Sequence, residues 1–418
     1  MHLRMSLFSR SLVPMSPRHA LLFCLLLAAF ELLTYVASDV VMPAMLHVVR
    51  DLDAPSSHVP LALNAYLLGG VAFQWLIGPL SDRYGRRPLL LLGAAGFAAA
   101  CLLTPWINDI HLFQGLRFVQ GIGLGFVVVV SYPLLQESFP ETDALRLMAI
   151  LANIALLSPL LGPLLGGLLL DVMSWRALFV CVGALAVLTW LGLWRFAPET
   201  IGVPRTEGGR LAPAPLHLAS ILGSYGELLR NGKFMQGSMA LGLISIPLFS
   251  WIGLSPLLLM RNLGLDATSY GLWQLPIFGG LIAGNLALNY AAGRFDLPSL
   301  IRLALLPIVG GLLLMAAGTL AGGGLMALIP GMLVYAFGMG IGNASLYRLT
   351  LFASASGKGT VAAMLGMISI AIIGLGSASL AALGAGASLT TFACAASIPV
   401  GVALWPLWRL LKQETVAA

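Results

Sequence analysis

Apolar runs of about 20 residues recur along nearly all of this 418-residue chain, and nothing constrains its folding more tightly. Each run is long enough to cross a ~30 Å hydrocarbon core as a helix. Lipid offers no water to satisfy backbone N–H and C=O groups, so such a run must close its own hydrogen bonds or join a closed barrel. The ~10-residue alternating segments of a membrane barrel are absent from the sequence. The expected fold is therefore all-α and integral to the membrane. By hydropathy twelve transmembrane helices are predicted at 20–46, 57–79, 89–107, 111–134, 144–171 and 176–196, then at 234–260, 268–292, 298–320, 325–350, 359–384 and 388–411. A chain that is 59% hydrophobic and 9% charged, with mean hydropathy +0.95, is not an ordinary soluble domain.

The runs fall into two sets of six. The expected organisation is a tail over 1–19, a first half over 20–196, a linker over 197–233, a second half over 234–411 and a tail over 412–418. Pro204, Pro213, Pro215, Gly208 and Gly209 make the linker read as flexible. Two six-span halves are the pattern of a transporter built from repeats around a site near the bilayer midplane. The halves echo each other weakly: Gly78 to Arg83 closes the second span of one, and Gly293-Arg294-Phe295-Asp296 closes the second span of the other. Arg4, Arg10 and Arg18 precede the first apolar run as in a signal peptide, but the run continues through Glu31 and past Asp39 without a convincing cleavage site. An uncleaved first span is expected.

Charge orients the chain. Arg83, Arg86, Arg87, Arg146, Arg195, Arg205, Arg210, Arg230, Lys233, Arg294, Lys358, Arg409 and Lys412 fall on one side, and Arg50, Arg176 and Arg261 on the other. The positive-inside rule then puts both termini and the linker in the cytoplasm, and the same dispersal explains the basic pI of about 9.4 without nucleic acid. Cys24, Cys101, Cys181 and Cys394 lie far apart within apolar runs and read as small hydrophobes. No metal-ligand spacing exists, and neither a metal nor a cofactor is expected. No His lies deep in a span, which argues against a proton relay through histidine and against a membrane-embedded enzyme. An exporter of one metabolite and a sensor that transports nothing remain as other readings.

Two carboxylates, Glu31 and Asp39, lie inside the first run. A charge at a helix centre costs roughly 2.5–3.5 kcal/mol on translocon scales, so a pair there points to an ion or substrate path. At 3.6 residues per turn Asp39 is rotated only ~80° from Glu31 and lies ~12 Å further along, so both share one broad side with Tyr35 and Ser38 at different depths. A proton or a cation can neutralise each. Arg117 on the fourth span sits at the depth of Asp39, ~9 Å below the same surface, and is expected as its counter-charge. Near Asp39 it would favour the ionised acid, and it would release that hold when the helices part. Arg348, at the end of its span, reads as a snorkelling residue.

After the second span, Gly78 to Pro88 orders small, acidic and basic residues. Asp82 is expected either to cap the next segment or to pair with Arg86, with Arg83 beside them and Glu137 at the end of the fourth span as a further partner, forming a conformational latch. The fifth span carries Gly162, Pro163, Gly166 and Gly167, whose small side chains allow close helix packing and whose proline allows a bend at a gate. Gly338, Gly340 and Gly342 read as packing faces. Tyr35, Phe249 and Trp251 are either aromatic walls for a lipophilic ligand or core. Asn64, Asn153 and Asn285 are either helix glue or pocket polarity.

Together these motifs resemble the major facilitator superfamily, in particular its twelve-span drug/proton antiporters. The loop from Gly78 to Pro88 is similar to the family's motif between spans two and three. Arg117 with Gln120-Gly121 resembles its fourth-span motif, and Gly162-Pro163 with Gly166-Gly167 its fifth-span antiporter motif, Ser158 standing where the family usually has Gly. The resemblance implies two pseudo-symmetric six-helix halves and a monomer in the bacterial inner membrane that exchanges lipophilic drugs for protons. It implies that Glu31, Asp39 and Arg117 couple the proton. It makes Glu31 and Asp39 the drug-recognising pair and puts Tyr35 in the pocket, with Ser38 in place of an Asn; Asn64, Phe249 and Trp251 are further substrate-binding candidates from the residues themselves.

Overall fold

The computed structural model describes residues 11–213, 218–291, 294–354 and 358–417. Arg4, Arg10, Pro215 and Gly293 lie outside the described residues, as do the side chains of Arg146, Asn153 and Lys358.

Fifteen α-helices follow in order among those residues: α1 Pro17–Asp39, α2 Met45–Asp51, α3 His58–Ala72, α4 Gln74–Tyr84, α5 Arg86–Leu103, α6 Ile110–Ser138, α7 Glu141–Leu170, α8 Trp175–Phe196, α9 Leu218–Arg230, α10 Gly232–Ser255, α11 Ala267–Ala291, α12 Leu297–Leu320, α13 Gly324–Leu351, α14 Lys358–Ala382 and α15 Leu389–Ala417. Ten described segments are long and apolar enough to cross a bilayer, and α3 with α4, bent by 41°, is an eleventh. The twelfth is α7, whose described apolar stretch is Leu157–Leu170. The bend between α3 and α4 has a local cause: the Gln74 side-chain amide donates to the Gly70 carbonyl (2.9 Å), the acceptor that the Gln74 backbone N–H would use in a straight helix.

Sequence-coded caps start the spans. Ser16 accepts from the His19 N–H ahead of α1 with Pro17 in the first turn, Asp109 caps α6 through Leu112, Ser174 caps α8 through Ala177, and Asn231 caps α10 through Phe234. Asp266 starts α11 by accepting from Ser269, which holds its carboxyl below the usual carboxylate range. Inward and outward faces separate by helical period. On α7, Leu157, Leu161, Leu165 and Leu168 form an exposed stripe, while Gly162, Pro163, Gly166 and Gly167 are buried. An exposed leucine stripe of that length suits lipid.

The chain divides into two compact units. One holds Met1–Val41, Ala65–Pro159 and Val172–Leu218; the other holds Met42–Asn64, Leu160–Asp171 and Ala219–Ala418. In the first, α5 packs on α6 and α8, and Phe30 meets Phe97 edge-on at 5.6 Å. Its helices α3 and α6 cross with backbones almost touching: a Cβ on Gly121 would stand 1.9 Å from the Tyr66 carbonyl oxygen, and one on Gly69 would stand 2.0 Å from that of Phe118. In the second unit α12 lies against α13, and a Cβ on Gly340 would stand 2.3 Å from the Leu281 carbonyl oxygen of α11. Gly338 and Gly340 are thus packing faces. The end of α7 joins this unit too. A Cβ on Gly167 would meet the Ala267 carbonyl at 2.3 Å, and one on Gly271 the Leu164 backbone at 2.4 Å.

The linker region is more ordered than its prolines and glycines imply. Bridges join Ile201 to Leu211 and Pro204 to Arg210, and α9 follows. Thr206 donates from N–H and hydroxyl to the carbonyls of Leu12 and Ser11, and the Leu12 N–H donates to Ser138.

Candidate ion and substrate site

The carboxylates of α1 lie in the first unit. Glu31 is fully buried, and neither of its carboxylate oxygens has a hydrogen-bond partner among the described residues. An ionised carboxylate left unpaired in an apolar interior is very costly, so this group is stable there only with a proton or against a cation. Asp39 is buried and its Oδ2 accepts from the Ser158 hydroxyl at 2.7 Å. Ser158 is itself buried, on α7.

Arg117 reaches α1 from α6, as its depth required, but by a different contact. Its Nη1 donates to the Ala37 carbonyl (3.0 Å) and to Gln120 Oε1 (2.8 Å), and the guanidinium lies 4.6 Å from the centre of the Tyr66 ring. No ion pair within 4.0 Å joins Arg117 to Asp39 in this structure; the ion pairs found among the described residues both belong to Arg86. The shell continues: Gln120 Nε2 donates to Thr104 Oγ1 (2.9 Å), and the Tyr66 hydroxyl donates to the Thr34 carbonyl (2.5 Å). Nε and Nη2 of Arg117 are buried without partners. The guanidinium is fixed two residues along α1 from the acid that Ser158 holds. The arrangement offers two carboxylates at different depths, one tethered and one free, beside a buried cation. Chemically, such a set can hold a proton or attract a cation.

The sequence profile of the Major Facilitator Superfamily matches residues 27–381. The chain belongs to the major facilitator superfamily. It is 44% identical over 360 residues to the multidrug transporter MdfA of Yersinia pestis bv. Antiqua (strain Angola), covering 86% of each chain. Identity to the MdfA proteins of Edwardsiella ictaluri (strain 93-146) and Escherichia coli O6:H1 (strain CFT073) is also 44%, with the same 86% coverage of each chain. Solved structures with the same fold include a D-xylose-proton symporter (TM-score 0.72, 16% identity, 94% of this chain and 98% of that one). The human organic anion transporter MFSD10 is another (TM-score 0.65, 19% identity, 93% and 99%). The fold is thus the twelve-helix facilitator architecture.

In this superfamily member the loop before α5 is a closed network within the first unit. Arg86 grips Glu137 with two bonds (Nη2–Oε1 2.8 Å, Nε–Oε2 3.2 Å), meets Asp82 at 2.5 Å and donates to Ser81. Arg83 is exposed and makes no contact of this kind with a described residue. A residue outside the expected set completes the network. Glu199, just past α8, accepts from the backbone N–H groups of Arg86 (3.0 Å), Arg87 (3.2 Å), Thr200 (2.7 Å) and Ile201 (3.0 Å). It caps the start of α5, where a carboxylate is favoured by the free amides and the helix dipole. Gly85 has φ 107°, and a Cβ there would lie 2.3 Å from the Glu199 carboxylate, so this turn requires glycine on both counts.

The other expected substrate residues separate. Tyr35 and Ser38 share the first unit with the two acids, whereas Asn64, Phe249 and Trp251 belong to the second. Trp251 is fully buried, donates to Gln274 (2.7 Å) and meets Phe392 edge-on at 5.4 Å. Asn64 is buried with both amide atoms unpartnered, while Asn285 is half-buried. Sequence reasoning passed over Ser158 as a donor and Glu199 as a cap. The departure of Ser158 from the family's Gly was the one available signal for the first. Nothing local marked the second.

Proposed function

We propose that this protein is a proton-driven multidrug exporter of the bacterial inner membrane, with both termini in the cytoplasm, working by alternating access. The observation that carries the reading is the fully buried, unpartnered carboxyl of Glu31 on the same helix as Asp39. The MdfA relatives at 44% identity support it. A lipophilic drug enters and displaces protons held on Glu31 and Asp39. The drug leaves on the far side, and protons reload both acids. Proton and drug compete by binding free energy and need not touch the same atom.

The deciding experiment is drug-dependent proton release from purified protein, with several unrelated drugs. Release with only one narrow class of compound would favour a single-metabolite exporter. Within the same assay Glu31→Gln should weaken binding of a lipophilic cation about tenfold, because attraction in low dielectric is strong, and change a neutral drug much less. Equal losses for both would refute the charge-selective role.

Ser158→Ala should slow drug-driven proton release about tenfold, since a hydrogen bond to a charged group is worth roughly 1.5–3 kcal/mol. Ser158→Thr, which keeps the hydroxyl, should retain release. Identical rates in Ser158→Ala and the parent protein would remove Ser158 from the coupling path.

Asp82→Asn should leave drug affinity unchanged and reduce turnover several-fold, because Asp82 joins the Arg86–Glu137 network away from the acids of α1. Loss of affinity with full turnover per bound drug would end the latch assignment.

A further inference from the structure

The end of α15 builds a charged cleft that transport does not explain. Arg409 lies over the Trp405 ring at 4.2 Å and Lys412 over Trp408 at 5.3 Å, one turn apart on the same helix. Arg409, Lys412, Trp408 and Gln413, with Gln236 of α10, line a cleft of about 460 Å³. Both tryptophans are more than half exposed, 56% and 59%. Neither cation forms an ion pair with a described carboxylate. Stacking on an indole fixes the direction of a guanidinium or ammonium without consuming its N–H donors. Gln236 Oε1 is buried with no hydrogen-bond partner among the described residues. The cleft thus presents two cations and one acceptor that lacks a donor.

Its place narrows the ligand. Exposed tryptophans with Lys and Arg at the end of a span mark the boundary between hydrocarbon and water. The helix preceding α10 agrees: α9 has an exposed Leu222 and Leu229 beside a buried Leu228 and Tyr225, an apolar side as expected of a helix lying in that boundary. A basic pocket between span ends at that level suits an anionic lipid headgroup.

We propose that this cleft binds a phosphodiester lipid whose headgroup carries a free hydroxyl. The phosphate lies between Arg409 and Lys412, the hydroxyl donates to Gln236 Oε1, and the acyl chains run along Trp405 and Trp408. Gln413 supplies a further donor at the rim.

Native mass spectrometry of the purified full chain, titrated with defined lipids, tests this. Phosphatidylglycerol should bind about tenfold more tightly than phosphatidylethanolamine, whose ammonium opposes the two cations. Arg409→Gln with Lys412→Gln should lose that preference, whereas the charge-matched pair Arg50→Gln with Arg210→Gln, at exposed positions elsewhere, should keep it. Gln236→Leu should weaken phosphatidylglycerol but leave phosphatidylmethanol, which lacks the hydroxyl, unchanged. Equal phosphatidylglycerol binding by the cleft variant and the charge-matched control would overturn the site. Displacement of the lipid by millimolar inorganic phosphate would assign the cleft to a free anion instead, and equal effects of Gln236→Leu on both lipids would remove the hydroxyl from the assignment.

Discussion

Asp39→Asn is expected to reduce gradient-driven drug efflux to background while leaving the protein folded. Asn keeps the size of the side chain, and its carbonyl oxygen can still accept from the Ser158 hydroxyl that now bonds Asp39 Oδ2 at 2.7 Å. What it cannot do is take up and release a proton. Arg117, fixed to the Ala37 carbonyl and to Gln120, keeps both bonds because neither uses the carboxylate. Stability should therefore change by about 1 kcal/mol or less, roughly one degree in the unfolding midpoint. Dye efflux from inverted vesicles under an imposed pH gradient is the measurement, with thermal unfolding beside it. Undiminished efflux would sink the assignment of Asp39. A misfolded variant would be read with Asp39→Glu, which keeps the proton site and should retain a measurable fraction of coupled efflux.

The second large effect concerns packing. Gly121→Val should destabilise the protein by about 3 kcal/mol, lowering the unfolding midpoint by roughly 3–5 °C. The obstacle is backbone rather than a side chain that could swing away: a Cβ at 121 would stand 1.9 Å from the Tyr66 carbonyl oxygen and 2.9 Å from the Gly70 nitrogen. The only relief is to part α3 from α6. That motion carries off Tyr66, whose ring lies against Arg117 and whose hydroxyl is bonded to Thr34 of α1, so coupling should fail with stability. Gly115→Ala on the same helix is the control, because a Cβ there meets nothing within 4 Å. A Gly121→Val protein as stable as the Gly115→Ala protein would show that the crossing is looser than described.

Packing of this kind separates what could be read from the chain and what could not. The twelve spans and the helix that carries Glu31 and Asp39 were legible because they follow from local rules. Twenty apolar residues cross a bilayer only as a helix, and a 3.6-residue period places two acids on one side at computable depths. The depth match of Arg117 was legible for the same reason, and Arg117 does reach α1 at that level, through Ala37. The pairing of Arg86 with Asp82 and Glu137 was legible too, from i,i+4 spacing and from the placement of Glu137 at the end of α6.

Which partner each polar group takes was decided only in three dimensions. Asp39 bonds Ser158 and not Arg117, because hydrogen bonds reach about 3 Å and helix rotation and crossing shift side chains by more than that. Those rotations are set by where backbones touch, at Gly121 on Tyr66 and Gly167 on Ala267, contacts between residues far apart in sequence. Glu199 caps α5 for the same reason: 113 residues separate it from Arg86, and only the fold brings its carboxylate to those free amides. Sequence by itself determined the all-helical membrane fold and the helices that carry the buried charges. Tertiary structure decided which charges are tethered, leaving Asp39 held by Ser158 and Glu31 with no hydrogen-bond partner among the described residues.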